Sequence, residues 1–264
     1  MHSDEIASDF LELASEQRLE IIFRLLTKKS KISIIAKELD ATVPEVFRNF
    51  ERLVKAGLIE KDTDGSYHLT TYGLAISNQI PSLAFVSSNK KYFKNHNFGD
   101  LPQKFVQRIG ALDQSQNIKG FTKVMEQWGD IIGDANEYIY GILFEEPLDL
   151  IAPIVNKAKK GVKINSIFSE SAIVPKGRKQ LIDKLDFKTL IKNGAVERKM
   201  RKNIQVGVFL SEKEACVMFP SLDGETDIRE MFYSKNAAFH EWCLDYFRYC
   251  WYGSDAFQES KLKE

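Results

Sequence analysis

Several features that would assign the chain to a class at once are missing or scarce. Only three cysteines occur among its 264 residues, Cys216, Cys243 and Cys250, which are too few for the disulfide framework of a secreted protein. No apolar run approaches the roughly 20 residues that a transmembrane helix needs. The opening stretch MHSDEIASDF lacks the basic and then apolar layout of a signal peptide. We therefore expect a cytoplasmic protein with no membrane partner.

The chain also has no excess of charge of either sign, with 37 basic and 37 acidic residues. Bulk electrostatics therefore does not indicate a nucleic-acid or membrane partner. What the composition does provide is apolar material, because 44% of the residues are hydrophobic. That is enough to fill the core of one large domain or of two modest ones.

Familiar catalytic signatures are absent. The chain has no P-loop, no dinucleotide-binding glycine fingerprint and no GxSxG nucleophile elbow. Glu145 and Glu146 are adjacent carboxylates, but such pairs are common on surfaces and nothing in the sequence supplies a partner acid or a metal. We therefore expect no catalytic residue and no cofactor.

One set of residues near the C-terminus has partial metal-ligand spacing. His240, Cys243 and Cys250 fall on roughly one face of a predicted helix, and Cys216 is the one remaining thiol that could complete a site. The aromatic residues interleaved with them indicate instead a helix packed into a core. These aromatic residues are Trp242, Tyr246, Phe247 and Trp251. We interpret the set as core residues and predict no metal site.

Residues 1–75 have the element order of a winged helix-turn-helix domain. Apolar residues recur at helical spacing over 1–29, where Ser15 can cap a restart of the helix, and Ser33 is a suitable N-cap for the short helix that follows. The residues DATV then lead into a helix at 44–56 that ends before Gly57. Beyond it the apolar period changes from 3.6 to 2, and Asp64-Gly65 is a strong hairpin turn.

Helix 44–56 has the division of faces that a recognition helix needs. Val46, Phe50, Leu53 and Val54 fall on one face and are predicted to be buried. In a helix-turn-helix domain the exposed N-terminal half of the second helix enters the major groove, where Arg can bind guanine and Asn can bind adenine. The predicted DNA-binding residues are Thr42, Pro44, Glu45, Phe47, Arg48, Asn49 and Arg52, with Thr42 assigned to a phosphate.

Charge offers a competing interpretation of the same domain. Residues 1–75 carry 10 basic and 13 acidic side chains, a net charge of −3, whereas residues 28–55 carry seven and four, a net charge of +3. An acidic domain binds DNA weakly by itself, so a homodimer is expected to double the basic footprint. The alternative is a winged helix that serves as a protein–protein interaction module, for which an acidic surface is well suited.

The remainder of the chain predicts a helical linker and an α/β domain. Residues 76–97 are helical and strongly apolar, which makes them a candidate dimerisation helix. Over residues 98–264 strands alternate with helices, which favours an α/β layer fold with a largely parallel sheet. Predicted elements include helices at 118–135 and 235–251.

Long stretches of the chain resemble one family of regulators. The segments LASEQRLEIIFRLL, AKELDATVPEVFRNFERLVKAGLIEKDTDGSYHLTTYG and PSLAFVSSNKKYFKNHNFGDLPQKFVQRIG are similar to archaeal winged-helix transcription regulators of the subfamily named for a methanogenesis regulatory protein. The stretch FHEWCLDYFRYCWYGS resembles the end of that subfamily's second domain. The resemblance implies a transcription regulator that binds double-stranded DNA and a second domain that senses a small-molecule effector. Phe47 departs from the family pattern, in which a small polar residue is usual.

The resemblance also implies a phospholipase D-like fold for the effector domain. Enzymes with that fold use a His-x-Lys motif with a downstream Asp, and the His is the nucleophile. The four histidines of this chain occur as HSD, HLT, HNF and HEW, so the motif is absent. A hydrolase is therefore not expected.

Loops that follow the predicted strands suggest where an effector would bind. Ligands of open α/β sheets bind outside the carboxyl ends of the strands. Strand EYIYGILF is followed by two glutamates, strand VKINSIF by SES, and strand EACVMF by PSLDGETD. An acidic, hydroxyl-bearing rim of this kind suits a polyol or a cationic metabolite. The predicted effector-binding residues are Glu145, Glu170, Ser171, Asp223 and Asp227.

Overall fold

The first part of the chain forms helices and one β-hairpin. The structure is a computed structural model that describes residues 3–263, and it divides into one unit ending at Ile80 and another starting at Pro81. The elements of the first unit are α1 (Ser3–Leu13), α2 (Glu16–Thr27), α3 (Ile32–Glu38), α4 (Val43–Lys55), β1 (Ile59–Lys61), β2 (Tyr67–Leu69) and α5 (Thr71–Ser77). Helices and hairpin follow one another in the predicted order.

Local chemistry explains most of these boundaries. Ser15 caps α2 by accepting a hydrogen bond from the backbone N–H of Arg18 at 3.5 Å. The N-cap of α3 is Lys31, so the predicted cap at Ser33 is wrong. The helix starts two residues earlier than predicted, and its Ile35 and Ala36 are buried. Gly57 ends α4 in the left-handed region at a φ of +71°.

The apolar face of α4 packs against the other helices of the first unit. Val46, Phe50 and Leu53 are almost completely buried, which confirms three of the four predicted core positions. Val54 is 42% exposed, so its predicted burial is wrong. Successive residues of an α-helix are rotated by 100° about its axis. Val54 therefore lies at the edge of the buried face, whereas Leu53 lies at its centre.

The second unit contains an α/β fold, as predicted. Its first helix, α6 (Ile80–Ser88), begins at the last residue of the first unit. The elements that follow are α7 (Gln103–Gln107), β3 (Gln116–Lys119), α8 (Phe121–Asp134), β4 (Tyr138–Glu145), α9 (Leu148–Lys159), β5 (Lys163–Ile173), α10 (Arg178–Lys184), α11 (Phe187–Lys192), β6 (Val196–Arg201), β7 (Gly207–Ser211), β8 (Ala215–Met218), β9 (Glu230–Ser234), α12 (Ala237–Tyr252) and β10 (Asp255–Ala256). Segment 81–97 contributes Phe85 and Tyr92 to the core of this unit.

The strands form one mixed sheet in the order β10-β6-β5-β4-β7-β8-β9-β3. Within residues 3–263 its parallel pairs are β4 with β5 and β5 with β6, and the other neighbours are antiparallel. The prediction of a largely parallel sheet is therefore wrong. Helices α9, α10 and α11 provide the crossovers that parallel strands need, whereas β7 and β8 are joined by a tight connection that makes them antiparallel.

Helices cover both faces of this sheet. One face packs against α8, α9, α10 and α11, and the other packs against α12 and the aromatic residues of segment 81–112. Cys216, Cys243 and Cys250 are buried in these layers, and burial raises the pKa of Cys216 to about 12. The core interpretation of the cysteines is thus confirmed. None of the described helices is long and apolar enough to cross a membrane.

Candidate nucleic-acid interface and effector cleft

The predicted DNA-binding residues lie at the start and along the outer side of α4. Thr42 is its N-cap residue, and Pro44 occupies its first turn. All of the predicted residues are exposed except Asn49, which is half-buried. They differ in whether their polar groups already form hydrogen bonds or ion pairs with other residues of the first unit.

Arg48 is the residue whose charge is available. In the part of the chain that the structure describes, its guanidinium takes part in no hydrogen bond or ion pair. Phe47, one residue earlier, is 45% exposed, and Val43 at the start of the helix is also exposed. The N-terminal half of α4 therefore presents one guanidinium and two apolar side chains to solvent. Val43 was missed by sequence reasoning, because it was read as part of the preceding turn.

Asn49 belongs to a polar network between α2 and α4. Its Nδ2 donates to the side chain of Gln17 and, at 3.3 Å, to the carbonyl of Glu45. Its Oδ1 accepts from Arg18 at 3.4 Å. Gln17 in turn donates to the carboxylate of Glu45 at 3.0 Å. Asn49 and Glu45 consequently have to exchange these bonds before they can contact a base.

Arg52 is held by α1, the first helix of the unit. Its Nε and Nη2 donate to the two carboxylate oxygens of Glu12 at 3.0 and 2.8 Å. The same carboxylate lies 3.2 Å from Nε of Arg18. Arg18 also donates through Nε to the carbonyl of Glu12 at 2.7 Å and through Nη2 to the carbonyl of Leu11 at 2.8 Å. Arg18 thereby caps the C-terminus of α1. These interactions lower the pKa of Glu12, the hydrogen bond from Arg52 being the largest contribution.

The acidic tip of the hairpin is neutralised from within the first unit. Lys29 lies 3.3 Å from Asp62 and 3.4 Å from Asp64. Hydrogen bonds from Ser66, first from its hydroxyl and then from its backbone, lower the pKa of Asp64 to about 2. By contrast, a set of cations has no ion pair among the described residues. It comprises Lys31, Lys37, Arg48, Lys55 and Lys61.

In the second unit, four of the five predicted effector-binding residues lie together. Glu145, Asp223 and Asp227 line a cleft of about 350 Å³, and Glu145 and Ser171 line a neighbouring cleft of about 230 Å³. The two clefts share lining residues, namely Glu145, Glu225, Thr226 and Ile228. Glu170 lines neither cleft and instead accepts a hydrogen bond from Lys261 at 2.6 Å.

The carboxylates of this cleft are not equivalent. Asp223 accepts from the hydroxyl of Ser221 at 2.5 Å and from the backbone of Glu225 at 3.0 Å. Asp227 accepts from Arg229 and lies 3.3 Å from Nε2 of His96. Both aspartates thus shape the loop after β8. Glu145 and Glu225 line both clefts, and neither carboxylate has a hydrogen bond or ion pair among residues 3–263, so these two acids face the clefts unused.

Neither a scan against models of protein families nor a search of curated proteins found a match. Among solved structures, the chain is similar to TrmBL2, described as an archaeal chromatin protein with a novel mode of DNA binding. The identity is 11%, the match covers 92% of this chain and 94% of that chain, and the TM-score is 0.42.

Two other structures resemble about half of the chain. Nuc from Salmonella typhimurium, a phospholipase D family member, matches at 14% identity and a TM-score of 0.40, over 55% of this chain and 99% of that chain. NucT from Helicobacter pylori matches at 14% identity and a TM-score of 0.41, over 55% of this chain and 100% of that chain. Similarities this weak carry no argument about function, which is therefore argued from the geometry alone.

Proposed function

We propose that this protein is a transcription regulator that binds double-stranded DNA through α4 and senses a small molecule with its second domain. The observation that carries the proposal is Arg48, an exposed guanidinium without a partner among residues 3–263, in the N-terminal half of the second helix of a helix-turn-helix. A guanidinium in this position can make a bidentate contact to guanine. The hairpin β1–β2 would be the wing.

The surrounding residues support a major-groove contact. Phe47 and Val43 are exposed apolar side chains that can contact a thymine methyl group. The unpaired lysines Lys31, Lys37 and Lys55 can neutralise phosphates, and Thr42 can donate a hydrogen bond to one. Asn49 and Arg52 could contact DNA only after breaking a hydrogen bond or ion pair to a partner on α1 or α2.

The proposal includes a homodimer formed by the first unit. Helix α1 exposes Ile6, Phe10 and Leu11, and α5 exposes Leu74. The hydroxyl of Tyr72 on α5 donates to Asp9 on α1, so these apolar side chains lie on adjoining helices. A two-fold dimer through this surface would place two α4 helices on successive turns of DNA and double the number of unpaired cations.

For the second unit we propose effector binding at the cleft beside Glu145. A volume of about 350 Å³ is in the range of small-molecule sites. The cleft offers the unused carboxylate of Glu145 together with the hydroxyl-bearing loop 221–229, which suits a polyol or a cationic metabolite. No catalytic role is included in the proposal.

Salt dependence of DNA binding tests the proposal against the protein–protein interaction module. Fluorescence anisotropy would be measured with a duplex selected from a random pool and with an unrelated duplex, across a series of salt concentrations. If Lys31, Lys37 and Lys55 each neutralise a phosphate, the slope of log K against log salt should be about −3 per protomer. No selectable duplex, together with weak binding that does not respond to salt, would support the interaction module instead.

A further inference from the structure

A pair of arginines is buried at the carboxyl end of the parallel strands, outside the acidic cleft. Arg178 begins α10 and is 2% exposed, and the side chain of Arg198 on β6 is 15% exposed. Removing a guanidinium from water is costly unless carboxylates and hydrogen bonds compensate it. Burial accordingly lowers the pKa of Arg198. Two such groups side by side therefore require anionic partners.

Two carboxylates supply that compensation, and they come from different parts of the chain. Glu146, directly after β4, accepts from Nε of Arg178 and is itself largely buried. Glu259 bridges the pair: one of its oxygens accepts from Nη1 of Arg178, and the other accepts from Nη1 of Arg198 at 3.3 Å. A carboxylate shared between two guanidinium groups is the arrangement in which a bound carboxylate ligand would be held.

Glu259 lies on a short segment that is attached to the unit at both ends and exposed between them. This C-terminal strap (residues 257–263) is mostly exposed, and the side chain of Glu259 is 54% exposed. Phe257 packs against Phe168 and lies with its ring centroid 4.0 Å from the guanidinium carbon of Arg198, and the strap is further held by Leu262 against the core, by the Lys261–Glu170 ion pair and by backbone hydrogen bonds of Lys263. Of the four charged residues in the cluster, Glu259 is therefore the one that can exchange with solvent.

The arginine pair also has unused hydrogen-bonding capacity. Nη2 of Arg178 is buried and has no hydrogen-bond partner among the described residues. Ser166 lies directly opposite Arg198 in the pairing of β5 with β6. Ser166, Arg198 and Glu146 line a cavity of about 30 Å³ whose remaining walls are apolar, including Ile151 and Phe187. A space of that size holds a small group and no more.

We propose that Arg178 and Arg198 form a binding site for a short-chain monocarboxylate, which displaces Glu259 and releases the strap. Without Glu259 the cluster retains two positive charges and the negative charge of Glu146. The remaining charge of +1 matches a monoanion better than a phosphate dianion. The ligand carboxylate takes the place of the Glu259 carboxylate, and its short apolar tail enters the cavity beside Ile151 and Phe187. This proposal does not depend on DNA binding.

Calorimetric titration of the full chain tests the site, with acetate, propionate and butyrate as probes and inorganic phosphate as the comparison. A tethered carboxylate competes at an effective concentration of order millimolar, so Glu259→Ala should lower the apparent Kd for propionate by about tenfold or more. Hydrogen exchange of the strap should rise in wild-type protein on addition of propionate. The matched control is Glu197→Ala. It removes an exposed carboxylate from β6, the strand that carries Arg198, and should change neither the Kd for propionate nor the hydrogen exchange of the strap.

A second substitution assigns the binding to the arginines. In the Glu259→Ala background, Arg198→Gln should abolish propionate binding, provided that its circular dichroism spectrum is that of the parent. If that variant does not fold, the comparison of Glu259→Ala with wild type decides alone. The proposal is overturned if Glu259→Ala binds propionate no more tightly than wild type, if phosphate binds more tightly than every carboxylate, or if a folded Arg198→Gln variant still binds.

Discussion

Glu12 on α1 and Arg52 on α4 form a bidentate ion pair across 40 residues of sequence, with N–O distances of 3.0 and 2.8 Å. The pair joins the first helix of the unit to the helix that we propose contacts DNA. It also removes Arg52 from the set of immediately available cations. The charge that α4 presents outward is therefore concentrated on Arg48.

Substitution of Arg48 tests the recognition surface. Arg48→Ala should cost about 1–3 kcal/mol of specific DNA binding and relax the base preference at one position, because a bidentate base contact is lost. Its melting temperature should hardly change, since the side chain is exposed. Anisotropy titrations against all single-base variants of the selected duplex provide the measurement. Lys55→Ala is the control and should weaken binding to every duplex alike. Wild-type affinity in Arg48→Ala would exclude the contact.

The Glu12–Arg52 pair should make the stability of the first unit depend on pH. The pKa of Glu12 lies below its ordinary value of 4.5, chiefly because of the hydrogen bond from Arg52. Its contribution to the free energy of unfolding is therefore complete above about pH 4.5. That contribution is lost as the pH falls through the lower pKa of the folded state. At neutral pH, Glu12→Gln should be less stable than wild type by about 1–3 kcal/mol. Urea unfolding at pH steps between about 7 and 3 measures this difference, which should shrink on acidification.

The control for this pH effect is Glu16→Gln. Glu16 is an exposed carboxylate at the start of α2 with no ion pair in the described part of the chain. Its variant should follow the wild-type profile at every pH. A constant difference between Glu12→Gln and wild type over the whole range would show that the carboxylate of Glu12 is not preferentially stabilised in the folded state.

Two neighbouring residues on α4 test the orientation of the helix. Leu53→Ala should lower the free energy of unfolding by about 2–5 kcal/mol, because Leu53 is completely buried. Val54→Ala removes a smaller and largely exposed side chain, and should change stability by about 0.5 kcal/mol or less. Chemical denaturation of both variants provides the comparison. Equal effects would mean that the buried face of α4 is assigned incorrectly, and the outward position of Arg48 with it.

Thermal-shift screening of the full chain with polyols and cationic metabolites tests the effector cleft. A ligand that raises the melting temperature should lose much of this effect in Glu145→Ala, because one of the two unpaired carboxylates that line the cleft is removed. Glu170→Ala is the control, since Glu170 lies outside the cleft and pairs with Lys261. A ligand that stabilises wild type and Glu145→Ala equally would place effector binding elsewhere.

The proposed dimer predicts a measurable change in mass. Sedimentation at micromolar concentration should give the mass of two chains for wild type, and Phe10→Ser should shift the population towards the monomer because it removes apolar area from α1. Leu222→Ser, an exposed apolar residue in the second unit, is the matched control and should leave the mass unchanged. A monomeric wild-type protein, both alone and with DNA, would contradict the dimer.

Sequence patterns were sufficient where structure is decided by neighbours along the chain. The spacing of Val46, Phe50 and Leu53 identified the buried face of α4, and Gly57 and Gly65 occupy the left-handed positions expected at a helix end and a hairpin turn. Ser15 caps a helix as expected. Each of these outcomes depends on residues within one or two turns of one another.

Patterns failed where a distant partner decides the structure. The residues QNIK are too short and too polar to be read as a strand, yet they form β3 because β9 offers an open edge more than a hundred residues later. Strand β9, whose residues are mostly apolar and buried, was also not predicted. Likewise, no local signal identifies Glu12 as the partner of Arg52, so the restraint on that arginine emerged only from the three-dimensional structure.

The pairing of β3 with β9 determines which parts of the protein can fold during translation. Residues of the first unit are all synthesised once Ile80 has left the ribosome, so that unit can fold while the rest is still being translated. The large sheet cannot be completed in that way, because β3 waits for residues 230–234 and the arginine pair waits for Glu259. The nascent chain therefore carries a complete first unit before the second unit can close, and residues 81–230 cannot bury all of their apolar surface until then.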